Sequence, residues 1–164
     1  MKTTAITALL SLILCYSASA RLGETLGEVN QRYGVPTDAK EPESNAFARW
    51  YLFNGLKILV GFLNGKSILE IYTPVNGGSF DSSVSATLLA ANSLGSTWKV
   101  TSVSDFQGES VTNWVLESGV AKAACMDVRK DSNMRVEIPA SLEIWYGIYD
   151  KRGEEEKARK LKGF

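Results

Sequence analysis

Hydrophobic and polar residues alternate most regularly over residues 49–74, in the stretch RWYLFNGLKILVGFLNGKSILEIYTP. Two dipeptides, Asn54-Gly55 and Asn64-Gly65, divide this stretch into three segments. Asn-Gly is the strongest short signal for a two-residue hairpin turn, because both central residues of a type I′ turn have positive φ. The pattern therefore predicts three antiparallel strands joined by two tight turns.

The two turns also predict a register, in which Val60 lies opposite Leu69 and Ile58 lies opposite Ile71. Because cross-strand partners share a face of the sheet, one face is expected to be buried; it carries Tyr51, Phe53, Leu56, Ile58, Val60, Phe62, Leu69 and Ile71. The other face is richer in large apolar groups than solvent requires, so it is either covered within the chain or used for binding. The candidate binding residues on that face are Trp50, Lys57, Leu59, Glu70 and Tyr72.

The first 20 residues have the organisation of a signal peptide. Lys2 supplies the positive charge, an apolar stretch follows, and Ala18-Ser19-Ala20 provides small residues before cleavage between Ala20 and Arg21. The segment is too short to span a membrane, and no later stretch is long and apolar enough to do so. We therefore expect an exported protein, periplasmic or secreted, with a lipoprotein anchored through Cys15 as the alternative.

Composition excludes several classes of function. Removal of Lys2 with the signal peptide leaves 17 basic and 18 acidic residues, a net charge of −1, so no basic surplus exists for nucleic acid or anionic lipid. The chain has no histidine, which excludes Ser-His-Asp and Cys-His catalysis and most catalytic zinc sites. Cys125 would be the only thiol after cleavage, and its alternating apolar surroundings predict a buried, inert side chain. We expect no metal, no cofactor and no enzymatic activity.

The rest of the chain predicts an α+β fold with an internal repeat. Trp50 lies five residues before Gly55, and Trp114 lies five before Gly119; each block follows a short helix. Such spacing is typical of a degenerate duplication of a helix followed by a three- to four-stranded antiparallel sheet. The expected division is a signal peptide at 1–20, a first helix-plus-sheet repeat at 21–75, a linker at 76–83, a second repeat at 84–140 and a charged C-terminal helix at 141–164.

Three motifs of the first half resemble a known family. They are Leu26-Gly27-Glu28-Val29, Tyr33-Gly34-Val35-Pro36 and Arg49-Trp50-Tyr51, followed by the two hairpins. Their order resembles the small envelope-lipoprotein family SmpA/OmlA, and the tandem arrangement is similar to that of the β-lactamase-inhibitor-protein family. The resemblance implies an envelope or secreted binding module. Because the inhibitor family grips its partner with an aromatic sheet surface, the resemblance makes Trp50 and Tyr72 candidates for contact.

Together these patterns predict an exported, non-enzymatic module that binds another envelope or secreted protein through an aromatic sheet face. One alternative is a structural envelope protein without a binding face. Another is a small hydrolase using Ser96 and Lys99, which have the S-x-x-K spacing of penicillin-binding enzymes. The lysine of that motif lies one helical turn above the serine, whereas here the motif runs into a predicted strand.

Overall fold

A computed structural model describes residues 21–38, 42, 44–80, 82–106, 109–127 and 132–161. The expected signal peptide, including Cys15 and Ala20, lies outside the described residues. The helices are α1 (Leu26–Tyr33), α2 (Ser82–Ala91) and α3 (Pro139–Leu161). The strands are β1 (Ala46–Phe53), β2 (Leu56–Leu63), β3 (Lys66–Pro74), β4 (Trp98–Phe106), β5 (Glu109–Leu116), β6 (Lys122–Asp127) and β7 (Asn133–Glu137).

The strands form one antiparallel sheet in the order β1-β2-β3-β7-β6-β5-β4. Each half of the chain is a meander, and the two meanders join where β3 pairs with β7. The predicted α+β class is confirmed. The internal duplication stays a prediction, and its two marker residues differ in placement: Trp50 and Trp114 lie on opposite faces of the sheet.

Local signals in the sequence explain where α1 and the first hairpins form. Thr25 caps α1 with a capping box, because its side chain accepts a hydrogen bond from the Glu28 N–H while Glu28 accepts one from the Thr25 N–H at 2.7 Å. In the two turns, φ is 48° and 75° at Asn54-Gly55, and 51° and 75° at Asn64-Gly65. Positive φ at both central residues confirms the predicted type I′ geometry.

The predicted register of β2 and β3 is wrong beyond the second turn. Phe62 pairs with Ser67 as expected, but a bulge at Ile68 then shifts the pairing by one residue, so that Val60 lies opposite Glu70. Because side chains alternate between faces, a one-residue shift moves every later side chain of β3 to the other face. Leu69 and Ile71, expected on the face of Val60, therefore lie on the opposite face.

Both faces of the sheet carry a hydrophobic core. We call the face that bears Val60 the inner face; α1 and α2 cover it, and they contribute Val29, Tyr33, Leu88 and Leu89 to the core. The opposite, outer face is covered by α3 only over part of the first three strands, where Leu142 and Trp145 pack on residues of β1, β2 and β3. Cys125 is buried in the inner core, as predicted.

Gly61 allows α3 to approach the outer face closely. A Cβ atom at this position would lie 3.2 Å from the Cβ of Leu69 and 3.7 Å from the Cε2 of Trp145. The indole N–H of Trp145 donates to the carbonyl of Phe47 at 3.2 Å, which fixes the helix against β1. Among the described helices, none is long and apolar enough to cross a membrane.

Candidate functional site

The five candidate binding residues do not lie on one face. Glu70 and Tyr72, expected beside Trp50 on the outer face, lie on the inner face opposite Val60 and Ile58, and both are 0 % exposed. That expectation was wrong because it assumed an uninterrupted β3, whereas the bulge at Ile68 reverses the direction of the residues after it. The two side chains therefore belong to the interior.

Inside the protein they form a polar group that we call the Glu70 cluster, consisting of Arg21, Tyr33, Glu70, Tyr72 and Asn92. The Tyr72 hydroxyl donates to the Glu70 carboxylate, and the Tyr33 hydroxyl lies 3.5 Å from its other oxygen. Tyr72 also accepts from the Arg21 Nη1 at 3.3 Å and from the Asn92 Nδ2 at 3.3 Å. Hydrogen bonds of this kind offset part of the cost of burying a carboxyl group.

Asn92 connects the cluster to three parts of the chain. Its Oδ1 accepts from the Leu22 N–H at 3.1 Å, while its Nδ2 donates to the Leu88 carbonyl at 3.0 Å. The N-terminal segment, the end of α2 and strand β3 are thereby held together around Glu70. An asparagine that is 0 % exposed and satisfies both ends of its amide is a strong constraint on packing.

Burial dominates the electrostatics of the cluster. Loss of solvation raises the pKa of Glu70 to about 7, and the neighbouring Arg21 guanidinium acts in the opposite direction. Burial also raises the pKa of Tyr33 far above its ordinary value, and the Glu70 charge adds to that shift. The cluster therefore contains a carboxyl group that changes its charge near neutral pH.

The other three candidate residues lie on the outer face, as predicted. Trp50 pairs with Leu59, and the Lys57 ammonium lies 4.4 Å from the Trp50 ring, a cation–π contact. Trp50 and Leu59 are half-buried, whereas Lys57 and Leu52 are exposed. These residues lie outside the group that packs under α3.

A row of outward-facing residues connects this patch to the second half of the sheet. The row crosses all seven strands and consists of Trp50, Leu59, Ile71, Arg135, Ala124, Asn113 and Ser102. Its first three members are apolar and its last four are polar or small. The outer face is therefore one surface with an aromatic end and a polar end.

The polar end forms a groove, which we call the outer groove, over strands β4 to β7. Its volume is about 610 Å³, and Val115, Lys122 and Glu137 line it together with the last four members of the row. Arg135 forms an ion pair with Glu137 and donates to the Tyr146 hydroxyl of α3 at 3.5 Å. Lys122 is exposed and has no ion pair with any described residue.

Sequence reasoning did not find the residues of the outer groove. Lys122, Arg135 and Glu137 come from two short strands, β6 and β7, which pair with each other. Their place beside the first meander is fixed only when β7 pairs with β3. A usable signal was the alternation of Met134 and Val136 with the charged Arg135 and Glu137, which indicates a strand with one wet face.

The structure places Ser96 and Lys99 in separate contacts. The Lys99 ammonium lies 2.8 Å from a Glu117 carboxylate oxygen, and the Ser96 hydroxyl accepts from the Ser118 N–H at 3.3 Å. The lysine lies within β4 and the serine precedes it, so the helical spacing of the S-x-x-K motif is not reproduced. Across the described ranges, no group of histidine, cysteine, aspartate and glutamate residues could hold a metal ion.

No family model matches the chain, and neither a curated protein nor a solved structure matches it. The resemblance to the SmpA/OmlA and β-lactamase-inhibitor-protein families therefore stays a prediction from the sequence. Any proposal about function depends on the geometry of the two faces.

Proposed function

We propose that this chain is an exported, non-enzymatic module that binds an extended, acidic segment of another envelope or secreted protein on its outer face. The observation that carries this proposal is the outer groove, which crosses four strands beside α3. α3 packs against β1, β2 and β3 and leaves the groove open. A partner in the groove could therefore contact both the strands beneath it and the side of α3.

Charge supports an acidic occupant. Arg135 is neutralised by Glu137 and Lys99 by Glu117. Lys122, whose cross-strand neighbour is the same Glu137, makes no ion pair within the described part of the chain. A carboxylate of the partner would supply one. Charge complementarity of this kind favours the correct partner and speeds association more than it adds affinity.

The aromatic end of the row supports a second contact. Trp50 and Leu59 lie on the same face as the groove and provide apolar area, which concentrates binding energy when a partner excludes water from it. Glu70 and Tyr72 have no place in this site, because they face inward. The binding residues of this proposal are therefore Trp50, Leu59 and Lys122, with Lys57 at the rim.

Backbone contacts at Arg21 support the expected cleavage site. Its N–H donates to the Ala91 carbonyl at 3.1 Å, and its carbonyl accepts from the Ser67 hydroxyl at 2.7 Å. Cleavage after Ala20 would create an ammonium group at a position where a carbonyl already accepts. We expect the intact mass of the exported protein to correspond to a chain that begins at Arg21; a mass that retains the first 20 residues would contradict export by this route.

Affinity capture tests the proposed site. The full-length chain is immobilised and exposed to an envelope fraction of its own source. It is compared with Lys122→Glu, with Trp50→Ala and with the matched control Lys66→Glu, which makes the same charge change outside the groove. We expect the parent and the Lys66→Glu control to retain a protein that neither Lys122→Glu nor Trp50→Ala retains. Equal retention by all four chains would refute the groove, and the absence of any retained protein would favour a structural role.

A further inference from the structure

A pocket opens on the inner side of the sheet, between α1, α2 and the turn that joins β1 to β2. Its volume is about 270 Å³, just below the range of about 300–1,000 Å³ that is typical of small-molecule sites. The apolar side chains that line it are Phe53, Leu56, Ile58, Val84 and Leu88. Three members of the Glu70 cluster, Arg21, Tyr33 and Tyr72, also line it.

Arg21 is held in place, but not all of its hydrogen-bond donors have an acceptor among the described residues. Its guanidinium carbon lies 5.8 Å from the centre of the Tyr33 ring and 6.0 Å from that of Tyr72, and its Nη1 donates to the Tyr72 hydroxyl. The Nε atom is buried and makes no hydrogen bond to any described residue. A buried N–H without an acceptor is costly, and the planar guanidinium matches the two oxygens of a carboxylate.

We propose that this pocket binds a small organic monocarboxylate, with its carboxylate on Arg21 and its apolar body against Ile58 and Leu88. The geometry combines the two requirements of such a ligand: a positioned guanidinium that lines the pocket, and an apolar wall beside it. This site lies on the face of the sheet opposite the outer groove, so it does not depend on the proposed protein partner.

The charge of Glu70 links this binding to protons. Glu70 is faced by Tyr72 on β3, Tyr33 on α1 and Asn92 after α2, while the charged groups near it are Arg21 and the ion pair of Glu24 with Arg32. A ligand carboxylate on Arg21 would compete with the Glu70 carboxylate for the same cation. Protonation of Glu70, whose pKa burial raises to about 7, removes that competition.

Binding should therefore be tighter at low pH. If the ligand binds only the form with protonated Glu70, the populated fraction falls about tenfold between pH 6 and pH 8, and the apparent affinity falls by the same factor. Cleavage after Ala20 would make Arg21 the first residue and give it an α-ammonium group near Ala91. The guanidinium of Arg21 would not be changed by that cleavage.

Titration calorimetry with the full-length chain tests the proposal. The probes are hexanoate, octanoate and benzoate, with octan-1-ol and octylamine as the neutral and cationic counterparts of octanoate. The variants are Arg21→Gln, the charge-conserving Arg21→Lys, and the control Lys66→Gln, which removes an exposed cation that lines neither this pocket nor the outer groove. Thermal unfolding of each variant verifies that it is folded.

We expect at least one carboxylate to bind, with an affinity at least tenfold higher than that of octan-1-ol. In Arg21→Gln this preference for the carboxylate should fall by tenfold or more. Arg21→Lys should retain part of the preference, and Lys66→Gln should leave it unchanged. Equal binding of octanoate and octan-1-ol, undiminished binding by folded Arg21→Gln, or no binding of any of the three carboxylates would overturn the proposal. If Arg21→Gln does not fold, Arg21→Lys and the pH dependence decide.

Discussion

The buried carboxyl of Glu70 makes a quantitative prediction about stability. The folded protein binds the Glu70 proton more tightly than the unfolded chain, because burial raises the pKa from 4.5 to about 7. The contribution of Glu70 to the free energy of unfolding should then be highest below pH 4.5, fall as pH rises towards 7 and level off above it. A shift of this size corresponds to about 3 kcal/mol, at roughly 1.4 kcal/mol for each pH unit.

Glu70→Gln isolates this effect, because the amide cannot ionise. We expect the variant to gain about 3 kcal/mol relative to the parent between pH 4.5 and pH 8, whatever its stability at low pH. The assay is urea unfolding at a series of pH values, with the difference between variant and parent plotted against pH. In this difference the contributions of all groups that the substitution leaves unchanged drop out.

Glu28→Gln is the control with the opposite sign. Hydrogen bonds from the backbone and then the side chain of Thr25 lower the pKa of the exposed Glu28. Its contribution to stability is therefore present above pH 4.5 and lost as pH falls below it. Parallel stability curves for the parent and Glu70→Gln between pH 4.5 and pH 7.5 would refute the account of the buried cluster.

Four further substitutions test the packing of α3 and the cap of α1. Trp145→Ala removes the main anchor of α3 and should lower the free energy of unfolding by about 3–5 kcal/mol in urea titrations; a loss below about 1 kcal/mol would contradict the docked helix. Gly61→Ala places a Cβ 3.2 Å from the Cβ of Leu69 and should lower the free energy of unfolding by about 1–3 kcal/mol. Gly147→Ala on α3 meets no atom within 4 Å and should raise it by about 0.5–1 kcal/mol. Equal effects of the two substitutions would contradict the close approach of α3 to Gly61. Thr25→Ala should cost about 1 kcal/mol by removing the cap of α1, and an unchanged midpoint in the same titration would show that the capping box contributes nothing.

Local signals predicted most elements because their causes are local. The turns at Asn54-Gly55 and Asn64-Gly65 and the capping box at Thr25 specify backbone geometry within a few residues. The bulge at Ile68 was missed, although two signs were present. Ile68 and Leu69 interrupt the apolar alternation, and Gly61 stands alone within the neighbouring strand, where an isolated glycine often marks a bulge or a close approach.

The pairing of β3 with β7 had no such local signal. Leu69 and Glu137 are separated by most of the second half of the chain, and their pairing depends on the whole arrangement of strands. The outer groove lies over β4 to β7, but α3 and the aromatic end of the outer face come to lie beside it only through that pairing. The candidate site could therefore be predicted only in part: Trp50, Lys57 and Leu59 from the first turn, and the rest from the assembled sheet.

The register of β2 and β3 is the central claim, because it places Glu70 and Tyr72 on the inner face of the sheet and leaves Trp50 and Leu59 on the outer face. Nuclear Overhauser contacts between backbone protons of the two strands measure it directly. The structure predicts contacts that place Val60 opposite Glu70 and Ile58 opposite Tyr72. Contacts that place Val60 opposite Leu69 would show an uninterrupted strand, and would contradict both the buried cluster and the division of the two faces.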